Sequence, residues 1–201
     1  MRRRQVQSLR DRPPLHLPRR PGVLVPADPG DGGVSLEEAL SSALAGRVAL
    51  VGIGNRLRGD DGVGSALAGR LAEAGVPRVF DGQELPEDMV ARVAATSPDT
   101  VLLVDAVDLG AEPGSVALID GDQTMSYLPT THRIPSELLM QVLERATGAR
   151  CLLLGVQPAG TGFGRAMSPE VSASLEALAE LLAGMLGPGP TPGAAVPTEE
   201  S

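Results

Sequence analysis

Lysine is absent from this chain; all 17 basic side chains are arginine. Without lysine there is no GxxxxGK[ST] phosphate loop and no Ser-Lys catalytic pair. Tryptophan is absent as well, with one tyrosine and two phenylalanines, so no aromatic platform exists for stacking single-stranded nucleic acid. HExxH and GxSxG are also missing. The single cysteine, Cys151, excludes an internal disulfide and offers nothing in favour of an oxidising compartment. No apolar run approaches the length of a membrane span. Arg19-Arg20 is followed by Pro21-Gly22 and not by the apolar core of an export signal. These absences lead to the expectation of a cytoplasmic protein.

What is present suits one α/β domain with tails: 201 residues, 42% of them hydrophobic. The charge is uneven. Residues 1–46 carry seven arginines against five acids, whereas residues 47–201 carry ten against twenty. An acidic body repels nucleic-acid and membrane phosphates and attracts cations. No nucleic-acid or membrane partner is expected.

Residues 1–33 are rich in arginine, proline and glycine without sustained periodicity, and are expected to be a disordered arm. The tail at 187–201, again rich in proline and glycine, is expected to be disordered too. Between them, 34–186 reads as the folded domain. Ser35-Leu36-Glu37-Glu38 is a capping box that opens a short helix to about Ala45. Arg47–Ile53, Thr100–Val104 and Cys151–Gly155 are apolar runs expected of strands buried on both faces. Arg78–Phe80 is a short strand ending at Asp81, and Ser115–Ile119 an edge or antiparallel strand. Helices are predicted over Asp61–Ala74, Pro86–Ala95, Pro135–Ala146 and from Ser168 to about Met185, the last with proline in its first turn. This alternation predicts a doubly wound, mostly parallel sheet with helices on both faces. Such folds bind ligands beyond the carboxyl ends of the strands.

Three segments fall there: Gly52 to Gly64 (GIGNRLRGDDGVG), Asp105 to Asp108, and Thr130-Thr131-His132. Two carboxylates and an imidazole converging at one sheet end make an oxygen and nitrogen site for a borderline divalent ion such as nickel or zinc. Each residue also has a plain structural use. Asp60 or Asp61 can cap the next helix, Asp105 can tie a strand end to a loop, and His132 can be a hydrogen-bonded structural histidine. A dinucleotide site is a second reading, because Gly52 and Gly54 follow a strand and Asp81 stands where a ribose-binding acid would. Against it, Leu57 replaces the third glycine, and Asp60-Asp61 set negative charge where a pyrophosphate needs positive potential. A third reading is a non-catalytic nickel chaperone using the same residues. Cys151 lies in an apolar strand and reads as a small buried hydrophobe, not a nucleophile.

Taken together, GIGNRLRGDDGVG, LLVDAVDLGAEPG, TTHRIP and LGVQP resemble the hydrogenase maturation endopeptidases. The resemblance runs from about Arg47 to Leu182 and is strongest to the branch that processes the large subunit of formate-hydrogenlyase-type [NiFe]-hydrogenases. It implies a protease that removes the C-terminal extension of the large-subunit precursor after nickel insertion, recognising Ni2+ supplied by that substrate. By motif, the metal-contacting and catalytic residues would be Asp61, Asp105 and His132. Asn55, Asp81 and Thr131 are expected to contact the substrate. The arm before Ser35 lies outside the family pattern, and Gln83 stands where the family often has a glycine.

Overall fold

The computed structural model describes residues 23–24, 35–83, 88–120 and 134–187. Six strands form one sheet: β1 (Val23–Leu24), β2 (Val48–Ile53), β3 (Val79–Gln83), β4 (Thr100–Ala106), β5 (Val116–Asp120) and β6 (Arg150–Val156). Five helices accompany them: α1 (Leu36–Ala43), α2 (Val63–Glu73), α3 (Asp88–Ala95), α4 (Ile134–Thr147) and α5 (Pro169–Leu186). The strand order is β1-β5-β6-β4-β2-β3. β6, β4, β2 and β3 run parallel, and β5 and β1 continue the sheet antiparallel.

The apolar runs become central strands because both faces of the sheet are covered. In β2, Val48 and Leu50 face α1, α2 and α5, while Ala49, Val51 and Ile53 face α3 and α4. The same alternation splits β4 and β6 between two cores. Fully burying each such Leu, Val or Ile contributes about 1.5–3 kcal/mol. α1 is opened by Ser35, whose hydroxyl accepts from the Glu38 amide while the Glu38 carboxylate accepts from the Ser35 amide. α5 is capped by Ser168 with Pro169 in its first turn. The expected doubly wound α/β architecture, with helices on both faces, is thus what the chain forms.

From β2 the chain turns one way to α2 and β3, and β4 and β6 lie on the other side of β2. The crevice between the carboxyl ends of β2 and β4 is therefore the topological switch point. Two glycines close α2 onto it. A Cβ at Gly52 would sit 2.0 Å from the Gly64 carbonyl oxygen, and one at Gly64 would sit 2.1 Å from that of Val104. Only hydrogen at both positions lets α2 begin directly above β2 and β4.

The structure departs from the sequence reading in three places. The helix expected from Asp61 begins at Val63, because Gly59–Gly62 form a 3-10 turn first. β3 runs on to Gln83, so Asp81 lies inside the strand and not at its end. Gln83, at the position where a glycine was noted as usual, has φ +37°, a left-handed conformation that favours glycine. Val23–Leu24, within the expected disordered arm, pair with Ile119 and Leu118 of β5. Main-chain pairing at a sheet edge needs only a short extended segment, which is why composition did not reveal it. The rest of the arm and the tail beyond Gly187 lie outside the described residues.

Cys151 is 1% exposed in β6. Burial, with the Glu144 charge adding to it, pushes its thiol up to about 12. A thiolate is therefore scarce at neutral pH. Native protein is expected to resist a thiol reagent and to label fully in denaturant. Cys151→Ala should cost about 1 kcal/mol and leave function intact. Stoichiometric labelling of the native protein would contradict this placement.

Candidate active site

The loop leaving β2 is shaped by backbone demands. Gly54 has φ +119°, and a Cβ there would lie 1.7 Å from the Asp61 carbonyl oxygen. The Asn55 side-chain oxygen accepts from the Leu57 amide at 2.8 Å, and the Asn55 carbonyl accepts from the Arg58 amide at 2.9 Å. The Asn55 amide donates to Oδ2 of Asp61 at 2.9 Å. Asn55 therefore organises the loop that presents Asp61. It also lines a shallow cleft with Gly54, Arg56, Leu57 and Gln83.

The adjacent acids Asp60 and Asp61 do different work. Asp60 is 1% exposed. Its Oδ2 accepts from the amides of Ala159 (2.8 Å) and Gly160 (3.0 Å), and its Oδ1 accepts from the Ser168 amide (2.6 Å). Burial alone would raise its pKa, but those main-chain donors outweigh it and hold the carboxyl below its ordinary value. Asp61 is partly buried and lines a separate cleft with Arg58, Ala106, Asp108 and the stretch Gln157–Thr161.

Asp105 stands at the carboxyl end of β4, one residue beyond the Gly52–Val104 pair of the β2–β4 register. Its Oδ2 accepts a 2.5 Å hydrogen bond from the Ser136 hydroxyl at the start of α4. Burial is the largest influence on its pKa and raises it. The Ser136 hydroxyl and the Ala106 amide pull it back, and the nearby Asp61 charge raises it again, leaving it at about 6. The Asp61 charge is thus felt at Asp105. Both residues were expected at this end of the sheet. His132 and Thr131, the other two residues expected here, lie outside the described residues. Among the described residues alone, no group of three histidine, cysteine or acidic side chains is placed to hold a metal.

Asp81 does not line the Asp61 cleft. Its Oδ2 pairs with the Arg56 guanidinium at 3.0 Å, and its Oδ1 accepts from the Gln83 amide. Arg56 also donates to the hydroxyl and carbonyl of Ser65, so it stitches β3 to α2. The acid that a ribose would require is engaged by arginine, and carboxylates occupy the turn where a pyrophosphate would sit. The arrangement suits a cation and not a dinucleotide.

Sequence reasoning gave no individual role to three participants. Gln157 accepts the Leu109 amide at 2.6 Å and donates toward Asp108, holding the loop after β4 against the end of β6. Its signal was a buried polar residue directly after an apolar strand. Asp108 stands exposed in the Asp61 cleft. Ser136 left no signal, since a serine in the first turn of a helix ordinarily reads as a cap.

Fold and site together define a class: a doubly wound α/β protein with carboxylates at its switch point. Comparison with known proteins gives the family. The profile of the hydrogenase maturation proteases matches residues 62–185, beginning one residue after Asp61. The chain is 34% identical to the Hydrogenase 3 maturation protease of Escherichia coli over 143 residues, covering 70% of this chain and 91% of that one. A crystal structure of a [NiFe] hydrogenase maturation protease from Thermococcus kodakarensis superposes with a TM-score of 0.66 at 35% identity, covering 75% of this chain and 97% of that one. The solution structure of an Escherichia coli endopeptidase of the same type gives a TM-score of 0.62 at 32% identity, over 71% and 92% of the two chains. The chain belongs to the hydrogenase maturation proteases and is an endopeptidase. The resemblance read from its motifs holds.

Two stability predictions separate the acids. Asp60 has a depressed pKa, so its contribution is present above the unfolded value near about 4 and is lost as pH falls through the folded one. Asp60→Asn should cost about 1–3 kcal/mol at pH 7, since an amide nitrogen would face main-chain donors. For Asp105 the sign is opposite. With a folded pKa of about 6, the metal-free protein loses stability as pH rises from about 4, the unfolded value, toward 6. Asp105→Asn removes that penalty. Its unfolding midpoint should exceed that of the wild type by more at about pH 8 than at about pH 5. An equal gap at both pH values would show that Asp105 is not desolvated as described.

Proposed function

We propose that this endopeptidase removes the C-terminal extension of a [NiFe]-hydrogenase large-subunit precursor after nickel insertion, in the cytoplasm, and recognises the bound nickel. The observation that carries the proposal is the pair formed by Asp61 and Asp105 at the switch point. Burial, with the Asp61 charge adding to it, raises the cost of ionising Asp105, and a divalent cation arriving beside it would relieve that cost. The acidic body, with twenty acids against ten arginines over residues 47–201, favours the approach of such a cation. Among the described residues, no helix is long and apolar enough to cross a membrane.

The nickel is part of the substrate in this reading. Asp61 and Asp105 would reach it through carboxylate oxygens and His132 through an imidazole nitrogen. His132 lies two residues before α4 in sequence, and α4 is the helix whose Ser136 grips Asp105. Two hard carboxylates and one imidazole make a weak resting site for a borderline metal, which suits a partner that delivers the ion already held by cysteine sulfurs. Asn55 holds Asp61 toward the cleft through its amide. Asp81 and Thr131 are proposed to contact the precursor, Asp81 from β3 and Thr131 from beside His132. A metal contacting the scissile carbonyl or a water would polarise it. The cleft lined by Arg58, Asp61, Asp108 and Gln157 would receive the chain around the cut.

A non-catalytic nickel chaperone could use the same ligands, and membership of a protease family argues against it. The test is cleavage of purified precursor, with and without nickel, by metal-free enzyme. Release of the tail is expected from the nickel-loaded form only. Asp61→Asn, Asp105→Asn and His132→Ala should each abolish release while remaining folded. Equal cutting of apo and loaded precursor would point to an ordinary protease with its own metal. Normal cutting by any of the variants would remove that residue from the proposed role.

A further inference from the structure

The described buried polar and charged side chains are Asp60, Ser65, Thr100, Ser136 and Gln157. Four of them have evident structural partners. Asp60 and Gln157 bind main-chain amides. Thr100 donates to the Ala45 carbonyl, and Ser65 receives Arg56. Ser136 is the one whose bond goes to Asp105, a proposed metal contact. It is 5% exposed, and its hydroxyl donates to Oδ2 of Asp105 at 2.5 Å. A hydroxyl has one proton to give, and here a carboxylate receives it. Such bonds to an ionised acceptor are among the stronger and more directional ones.

The consequence is geometric. A free aspartate at a strand end can rotate about two side-chain bonds and offer either oxygen. Asp105 is denied that freedom, because Ser136 on α4 takes Oδ2. We propose that Ser136 is a positioning residue: it holds the Asp105 carboxylate so that Oδ1 is the oxygen presented to the substrate's metal beside Asp61. The inference rests on the processing function proposed above. It adds that the start of α4 sets the orientation of one metal-contacting acid. Partners that orient a metal-contacting group commonly matter about 10–100-fold when removed.

The same bond has a second effect. It joins the end of β4 to the first turn of α4, and so couples the geometry of Asp105 to the helix that directly follows the segment bearing His132. A displacement of α4 would therefore reach Asp105 through a single hydrogen bond.

The experiment compares wild type, Ser136→Ala and Ser136→Thr in single-turnover cleavage of nickel-loaded large-subunit precursor, with unfolding midpoints and crystal structures of the metal-free proteins. The expected result is a loss of about 10–100-fold in rate for Ser136→Ala at an unchanged fold, with most of the rate restored in Ser136→Thr, which keeps the hydroxyl. The Asp105 carboxylate should adopt a different rotamer in Ser136→Ala and the wild-type rotamer in Ser136→Thr. A wild-type rate in Ser136→Ala would overturn the proposal. So would an unchanged Asp105 rotamer, a Thr variant as slow as the Ala variant with its fold intact, or unfolding of Ser136→Ala, which would make the hydroxyl structural. Wild-type enzyme that leaves loaded precursor uncut would instead remove the processing function, and the rotamer comparison would still decide whether Ser136 orients Asp105.

Discussion

The loops that frame the Asp61 cleft depend on the buried carboxylate of Asp60. Three main-chain amides converge on it, two from the loop after β6 and one from the residue that caps α5. The Asp60 amide in turn donates to the Gly160 carbonyl. The loop after β2 and the loop after β6 are thereby locked into one piece. The wall of the Asp61 cleft formed by Pro158, Ala159 and Gly160 is held in place by the residue next to Asp61 in sequence. One acid is desolvated and tied to main-chain donors, while its neighbour, held by the Asn55 main-chain amide, faces the cleft. A buried charge stripped of those donors would be far too costly to keep.

The glycines around this lock have the same purpose. Gly52 and Gly64 bring α2 within contact of β2 and β4, so the 3-10 turn bearing Asp60 and Asp61 sits over the switch point. Arg56 fastens the rim from outside by bonding Ser65 of α2 and Asp81 of β3. Asp61 thus rests on a loop whose two ends and middle are each tied to a different element. Asp105 comes from the opposite side of the crevice on a rigid central strand. A pair of like charges is held close only when both supports resist being pushed apart.

Much of this was legible in the sequence, and the reasons are specific. β2, β4 and β6 could be read because parallel strands buried on both faces must be continuously apolar. α1 and α5 could be read because Ser35, Glu38, Ser168 and Pro169 make caps with a fixed spacing. That ligands bind at the carboxyl ends of the strands followed from strand alternation, and with it the choice of Asp105. The division of labour between Asp60 and Asp61 was not legible, since both are aspartates at the same helix start and differ only in which one the later loop covers. That covering loop lies about a hundred residues away in the chain. The Arg56 partner of Asp81 was hidden for a similar reason, since the pair joins residues 25 apart. β1 and Ser136 also depend on long-range contacts, with β5 and Asp105, that no local pattern announces.

The Asp61–Asp105 pair runs against the logic of the rest of the fold. Elsewhere buried polar groups find donors or acceptors, and the two apolar cores are continuous across the sheet. At the switch point the chain keeps a desolvated carboxylate near a second one, so that Asp105 holds its proton to about 6. A core this extensive can tolerate that local penalty, as functional sites commonly require of the structure around them. The penalty also has a direction. It would be relieved by positive charge entering between β2 and β4. In the proposed reading, an arriving cation would relieve that cost on binding. A partner carrying the cation in a protruding peptide would gain from that relief, whereas the same partner without its metal would not. Electrostatics would then itself favour loaded over empty partners, before any chemistry on the peptide bond begins.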